Sequence, residues 1–142
     1  MLLELSVGID RPVDEVFAFV RDIDKQEHGD HVVVVQRTTG GSVGVGTEYR
    51  ESIRMPFGRV GEMRIEITKL DPPQYLSIRF RGPIMHGDIA YTLTPCDEGT
   101  RLHQLETIVY TGWAWPANLI GRRALRAKVE RRLDGFKAQL EG

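Results

Sequence analysis

The sequence predicts an α+β fold in which a curved antiparallel β-sheet wraps around a long C-terminal α-helix, with short helices after the first strand. Three observations carry this reading. The hydrophobic period changes from two to nearly four at Pro12. A series of alternating segments, punctuated by Gly and Pro, fills the middle of the chain. One long amphipathic stretch is held back to the end.

Leu3, Leu5, Val7 and Ile9 alternate with Glu4, Ser6 and Gly8, which is the pattern of a strand with one buried face. Pro12 then suits a first helical position, where its missing N–H has no intrahelical partner. Asp14 and Glu15 place negative charge at the positive end of the helix dipole. Val13, Val16, Phe17 and Val20 follow at helical spacing and form one apolar stripe.

The apolar run Val32–Val35 is separated by Gly40, Gly41, Gly44 and Gly46 from a segment over Thr47–Met55. Pro56 and Gly58 mark the next turn. Arg59–Leu70 puts Met63, Ile65 and Ile67 on one side, and Asp71, Pro72 and Pro73 end it. Leu76, Ile78 and Phe80 alternate up to Gly82 and Pro83. Ile89, Tyr91 and Leu93 alternate in turn, and Asp97, Glu98 and Gly99 form a turn before Thr100–Tyr110. Short turns between successive strands imply an antiparallel meander, since parallel neighbours need long crossovers.

Leu125, Val129, Leu133, Phe136 and Leu140 then recur every three or four residues, with basic residues on the remaining faces. Pro116 is tolerable near the start of this helix and Gly142 lies past its end. Gly121 and Gly135 interrupt the pattern, each at a cost of about 1 kcal/mol relative to Ala. A sheet with one apolar face needs a cover, and this helix is the long amphipathic element available to supply it.

The run Ile9-Asp10-Arg11-Pro12-Val13-Asp14-Glu15-Val16-Phe17 resembles the opening of the START/Bet v 1-like (SRPBCC) superfamily, especially its polyketide cyclase/dehydrase-like branch. Leu70-Asp71-Pro72-Pro73 resembles that family's strand-ending turn, Gly99-Thr100-Arg101-Leu102 the start of its last strand, and Phe136-Lys137-Ala138-Gln139-Leu140-Glu141 its helix ending. The resemblance spans nearly the whole chain. It implies a helix-grip fold with an internal cavity. Where the family often places a Trp after the first helices, this chain reads Gln26-Glu27-His28-Gly29-Asp30-His31, which predicts a more polar cavity mouth.

At 142 residues the chain suits one domain, 1–142. A formal net charge of −1 gives no global attraction to nucleic acid or to an anionic membrane. The cluster Arg122, Arg123, Arg126, Lys128, Arg131 and Arg132 reads either as a solvated helix face or as a surface for a partner or anionic ligand. Cys96 is the single cysteine, so no intrachain disulfide is possible; Asp97 and Glu98 beside it disfavour a thiolate. No signal-peptide pattern and no apolar run of membrane-spanning length occur, so the expectation is a cytoplasmic protein without integral membrane association. A homodimer through an exposed strand edge is compatible with the pattern.

Strand parity indicates which polar residues face the helix. Thr47, Tyr49, Glu51, Ile53 and Met55 share one parity, and Tyr91 points inward with Ile89 and Leu93. On the last strand, Leu102, Gln104, Glu106 and Ile108 compete with His103, Leu105, Thr107 and Val109; the family resemblance favours the first set. The predicted ligand-binding set is therefore Tyr49, Glu51, Ile53, Met55, Ile65, Ile78, Tyr91, Gln104 and Glu106. Trp113 and Trp115 join it if they wall the entrance rather than seal helix against sheet.

Glu51 and Glu106 must be paired, hydrated, protonated or near the mouth, because an unpaired carboxylate in an apolar interior costs several kcal/mol. One reading makes them bases and Tyr49 and Tyr91 donors; the other makes them rim residues paired with arginine. His28, Asp30, His31, His86, Asp88 and His103 match no zinc spacing, and the glycines at 40–46 lack the Lys-Ser/Thr ending of a phosphate loop, so no metal and no cofactor is expected. The expected function is binding of a small hydrophobic or amphipathic molecule between sheet and helix. The alternatives are a cyclase/dehydratase-like enzyme, as the resemblance implies, and a protein-interaction or quinone-chaperone role.

Overall fold

The computed structural model describes residues 1–27 and 32–142. Seven strands form one antiparallel sheet: β1 (Leu2–Ile9), β2 (Val32–Arg37), β3 (Glu48–Arg54), β4 (Val60–Asp71), β5 (Tyr75–Arg81), β6 (Met85–Cys96) and β7 (Gly99–Tyr110). Their spatial order is β1-β7-β6-β5-β4-β3-β2, so β2 to β7 form the expected meander and β1 pairs with β7. The first two strands thus lie at opposite edges. Helix α1 (Val13–Arg21) and a 3₁₀ turn, Ile23–Lys25, lie between them in the chain. The loop carrying His28, Asp30 and His31 lies outside the described residues.

Two boundaries differ from the sequence reading. Strand β6 extends beyond the alternation of Ile89–Leu93 in both directions, because its ladder to β7 continues through Gly87 and Pro95, where side-chain pattern gives no signal. Gly87 allows close strand approach: a Cβ there would lie 1.9 Å from the Thr107 carbonyl oxygen. The C-terminal helix is divided. A short α2 (Ala117–Ile120) ends at Gly121, whose ψ of 1° leaves helical geometry, and α3 (Arg122–Glu141) follows.

Helix α3 runs along β1 in the same direction. Arg122 donates to the Leu2 carbonyl at 2.6 Å, Lys137 to the Gly8 carbonyl at 2.8 Å, and the Asp10 N–H to Glu141 at 3.1 Å. Between these polar ties Leu125, Val129, Leu133 and Phe136 are buried with Leu3, Ile9, Leu102 and α1 residues Val16, Phe17 and Val20. Phe19 meets Phe136 edge-on at 5.3 Å. This anchoring toward one edge of the sheet leaves the concave face of β3 to β6 partly uncovered.

The last strand resolves as the resemblance favoured. Leu102, Gln104, Glu106 and Ile108 are buried, whereas Thr107 and Val109 are exposed.

Candidate functional site in the sheet–helix cavity

Between α3 and the concave sheet lies a cavity of about 820 Å³. Its sheet wall is largely apolar, from Ile53, Met63, Ile65, Ile78 and Phe80, and its helix wall is not. Lys128, Arg132, Gly135 and Gln139 line it at i, i+4, i+7 and i+11, a stripe set roughly 85° round α3 from the packing stripe Leu125-Val129-Leu133-Phe136. Exposed Glu27 and Arg131 also border the cavity and mark where it meets solvent.

Two polar groupings stand in this apolar surround. In the first, Glu106 on β7 accepts from the Arg132 guanidinium at 3.3 Å and from Gln104 Nε2 at 3.2 Å. The Glu106 side chain is 4% exposed and Arg132 31%, so this is a buried carboxylate tied to a cation that reaches water. Tyr91 adjoins them. Burial pushes its hydroxyl above the ordinary tyrosine range, against the pull of Arg132, so the phenol is neutral and available as a hydrogen-bond donor.

The second grouping is open. Glu51 on β3 and Lys128 on α3 line facing walls and feel each other's charge, yet neither makes a hydrogen bond or ion pair among the described residues. Burial first, and then the like charge of Arg132, hold the Lys128 ammonium below the usual lysine range, although Glu106 and Glu51 pull the other way. The cavity therefore presents an acceptor and a donor whose capacities are not spent on the described residues.

Of the predicted residues, Glu51, Ile53, Ile65, Ile78, Tyr91 and Glu106 line the cavity together. Gln104 is fully buried beneath the lining and acts on Glu106. Met55 packs at Gly61 beside Pro83, outside the lining. Tyr49 is buried too, but its hydroxyl has no hydrogen-bond partner among the described residues; burial pushes its pKa up, with Asp24 adding to the rise and Arg37 opposing it. Trp113 and Trp115 are 66% and 56% exposed and lie outside the cavity wall.

The helix contribution was missed by sequence reasoning. Lys128 and Arg132 read as part of a basic face, either solvated or turned to a partner or anionic ligand, and Gly135 as an irregularity. The available signal was their shared spacing with Gln139, which places two cations, a glycine and an amide on one stripe adjoining the apolar one. Gln26 and Glu27 also line the cavity, in keeping with a polar mouth. Among the described residues no cluster of His, Cys, Asp and Glu is arranged to hold a metal ion.

The fold recurs in solved structures. The chain aligns over 99% of its length with the di-domain aromatase/cyclase StfQ of the steffimycin biosynthetic pathway, at 20% identity and a TM-score of 0.77, spanning 50% of that longer chain. It aligns over 99% of its length with 93% of the Zhui aromatase/cyclase from Streptomyces sp. R1128, at 18% identity and a TM-score of 0.75. Ara h 8.0201 aligns with 99% of this chain over 97% of its own, at 15% identity and a TM-score of 0.75. At these identities the likeness concerns the fold. No curated protein matches the sequence. The family profile described as polyketide cyclase/dehydrase and lipid transport matches residues 2–141, and the chain belongs to that family.

Proposed function

We propose that the protein binds a small amphipathic molecule in the sheet–helix cavity, its apolar body against the β3–β6 wall and an oxygen-bearing group between Lys128 and Glu51. The carrying observation is the open Lys128–Glu51 pair in an apolar cavity of about 820 Å³, within the size range of small-molecule sites. A hydroxyl or carbonyl group placed there accepts from the ammonium, and a hydroxyl also donates to the carboxylate, satisfying polar groups that a purely hydrocarbon ligand would leave desolvated. The family description and the aromatase/cyclase neighbours support a ligand of this kind.

A second reading, cyclase-like catalysis, is favoured by one feature. Glu51 is a carboxylate with no hydrogen-bond or ion-pair partner among the described residues, whereas Glu106 is committed to Arg132. Glu51 then removes a proton α to a carbonyl, while Lys128, Tyr91 or Arg132 donates to the developing enolate oxygen.

Thermal unfolding in the presence of aromatic polyketides, fatty acids, quinones and sterols tests the binding reading. A ligand at 100 times its dissociation constant adds about 2.7 kcal/mol of stability. A concentration-dependent rise for an oxygenated class, abolished in Lys128→Met, supports the proposal; a flat response to every class refutes it. Turnover that disappears in Glu51→Gln while the thermal shift persists selects the catalytic reading.

A further inference from the structure

Five apolar side chains that the cavity does not use stand in solvent on two neighbouring segments. Trp113 and Trp115 are 66% and 56% exposed, Leu119 and Ile120 72% and 81%, and Phe57, at the β3–β4 turn with φ +66°, is fully exposed. The sheet register brings these segments to one end. Strands β3, β5 and β7 finish there, and β4 and β6 begin there. The Thr111 N–H donates to the Ile84 carbonyl at 2.7 Å, tying the start of the Trp segment to the β5–β6 turn, while Met55 and Pro83 both abut Gly61, tying that turn to the β3–β4 hairpin.

The charge on the three segments that carry the patch has one sign. Residues 54–61, 81–87 and 107–126 contain Arg54, Arg59, Arg81, Arg122, Arg123 and Arg126 and no Asp or Glu, in a chain whose net charge is −1. Arg126 is paired with Glu130 from the next turn of α3. The other five form a basic border to an exposed apolar patch, an arrangement that a globular surface rarely carries without use.

We propose that this end of the molecule docks on an anionic lipid surface, with Trp113, Trp115, Leu119, Ile120 and Phe57 entering the headgroup region and the arginines facing acidic headgroups. The aromatic and aliphatic side chains project from short turns and a one-turn helix rather than lining a groove, which suits a fluid interface more than a shaped partner. A second copy would bring a border of the same sign, so charge complementarity favours an acidic surface. Cavity residues Met63, Met85, Ile108 and Leu125 lie toward the same end. Docking needs no spanning segment; among the described residues no helix is long and apolar enough to cross.

The chain has two tryptophans and both belong to this patch, so intrinsic fluorescence reads it directly. The full chain is titrated with vesicles of phosphatidylcholine alone and of phosphatidylcholine mixed equally with phosphatidylglycerol. The mixed vesicles should blue-shift the emission, bromine-labelled acyl chains should quench it, and the protein should co-sediment with them, less so as salt rises. Arg59→Glu with Arg123→Glu should lower partitioning by about tenfold or more. Leu119→Ser with Ile120→Ser should lower it by about tenfold while the unfolding temperature holds, since both side chains are exposed. Unchanged emission with mixed vesicles at low salt overturns the proposal, as does equal binding to both vesicle types. Concentration-dependent self-association that blue-shifts the tryptophans without lipid also overturns it, reassigning the patch to a contact between copies.

Discussion

Gly135 tests whether the cavity reduces stability in return for space. It lies in the interior of α3 on the cavity-lining stripe, where glycine forfeits about 0.8–1.0 kcal/mol relative to alanine. A Cβ at this position would meet only the Gln139 side-chain nitrogen, at 3.8 Å, an ordinary contact. Gly135→Ala should therefore recover nearly the whole propensity difference. With about 2.1 cal/mol/K of unfolding entropy per residue, 142 residues give roughly 0.3 kcal/mol/K, so a gain of about 1 kcal/mol raises Tm by about 3 °C. Gly135→Leu adds three carbons beyond Cβ. At ~0.8 kcal/mol per fully buried carbon, and with about half that burial at this partly buried site, they contribute a further ~1 kcal/mol. The same carbons occupy ligand space, so the Leu variant should be the most stable of the three and show the smallest ligand-induced thermal shift. Urea unfolding and ligand titration measure the two effects separately. A destabilised Ala variant would mean that the helix at Gly135 is not free to carry a side chain. A stabilised Leu variant with an unaltered ligand response would remove this stripe from the binding wall.

Three further outcomes follow from particular contacts. Arg132→Met leaves the Glu106 carboxylate with Gln104 as its remaining hydrogen-bond donor and should cost about 3 kcal/mol; adding Glu106→Leu should restore at least half of it in a urea-based double-mutant cycle. Lys128 has a folded-state pKa below its unfolded value of about 10.4, so the unfolded chain holds the proton more tightly and stability rises as pH climbs through the folded pKa toward 10.4. Lys128→Met should accordingly be at least as stable as the parent at pH ~7, with its advantage shrinking as urea unfolding is repeated at rising pH, and a constant difference would contradict the assigned burial. Gly87→Ala drives a methyl group into the Thr107 carbonyl on the neighbouring strand and should cost about 2–3 kcal/mol, read as a lowered melting temperature by circular dichroism.

Much of the fold was legible because each signal was local. The period of two in β1, the helix start near Pro12 and the alternation through β4 and β5 each depend on neighbours in sequence, and the structure reproduces them, with Pro12 itself at the N-cap in extended geometry and the first helical position at Val13. The inward parity of Tyr49, Ile53 and Tyr91 was readable for the same reason. Signals failed where backbone contacts decide. Strand β6 continues through Gly87 and Pro95 because its partner strand holds it there; the final helix breaks at Gly121, which the sequence marks as an interruption, but only the backbone decides that this glycine breaks the helix and Gly135 does not.

The candidate site was legible by halves. Its sheet wall came from strand parity, which gives Glu51, Ile53, Ile65, Ile78, Tyr91 and Glu106 without knowledge of the partner helix. The helix wall did not, because a basic residue on an amphipathic helix is solvated or enclosed according to what stands opposite. Seating α3 along β1 turns Lys128, Arg132 and Gly135 over the open sheet, while Arg123 and Arg126 remain in solvent.

By itself the sequence determined the elements, their order and the apolar faces, since periodicity and turn chemistry act over a few residues. Tertiary structure alone decided that one arginine neutralises Glu106, that Glu51 and Lys128 face each other across the cavity with no ion pair among the described residues, and that both tryptophans stand in water. Each of those outcomes depends on distances between groups tens of residues apart, which the packing angle of α3 and the ladder register set.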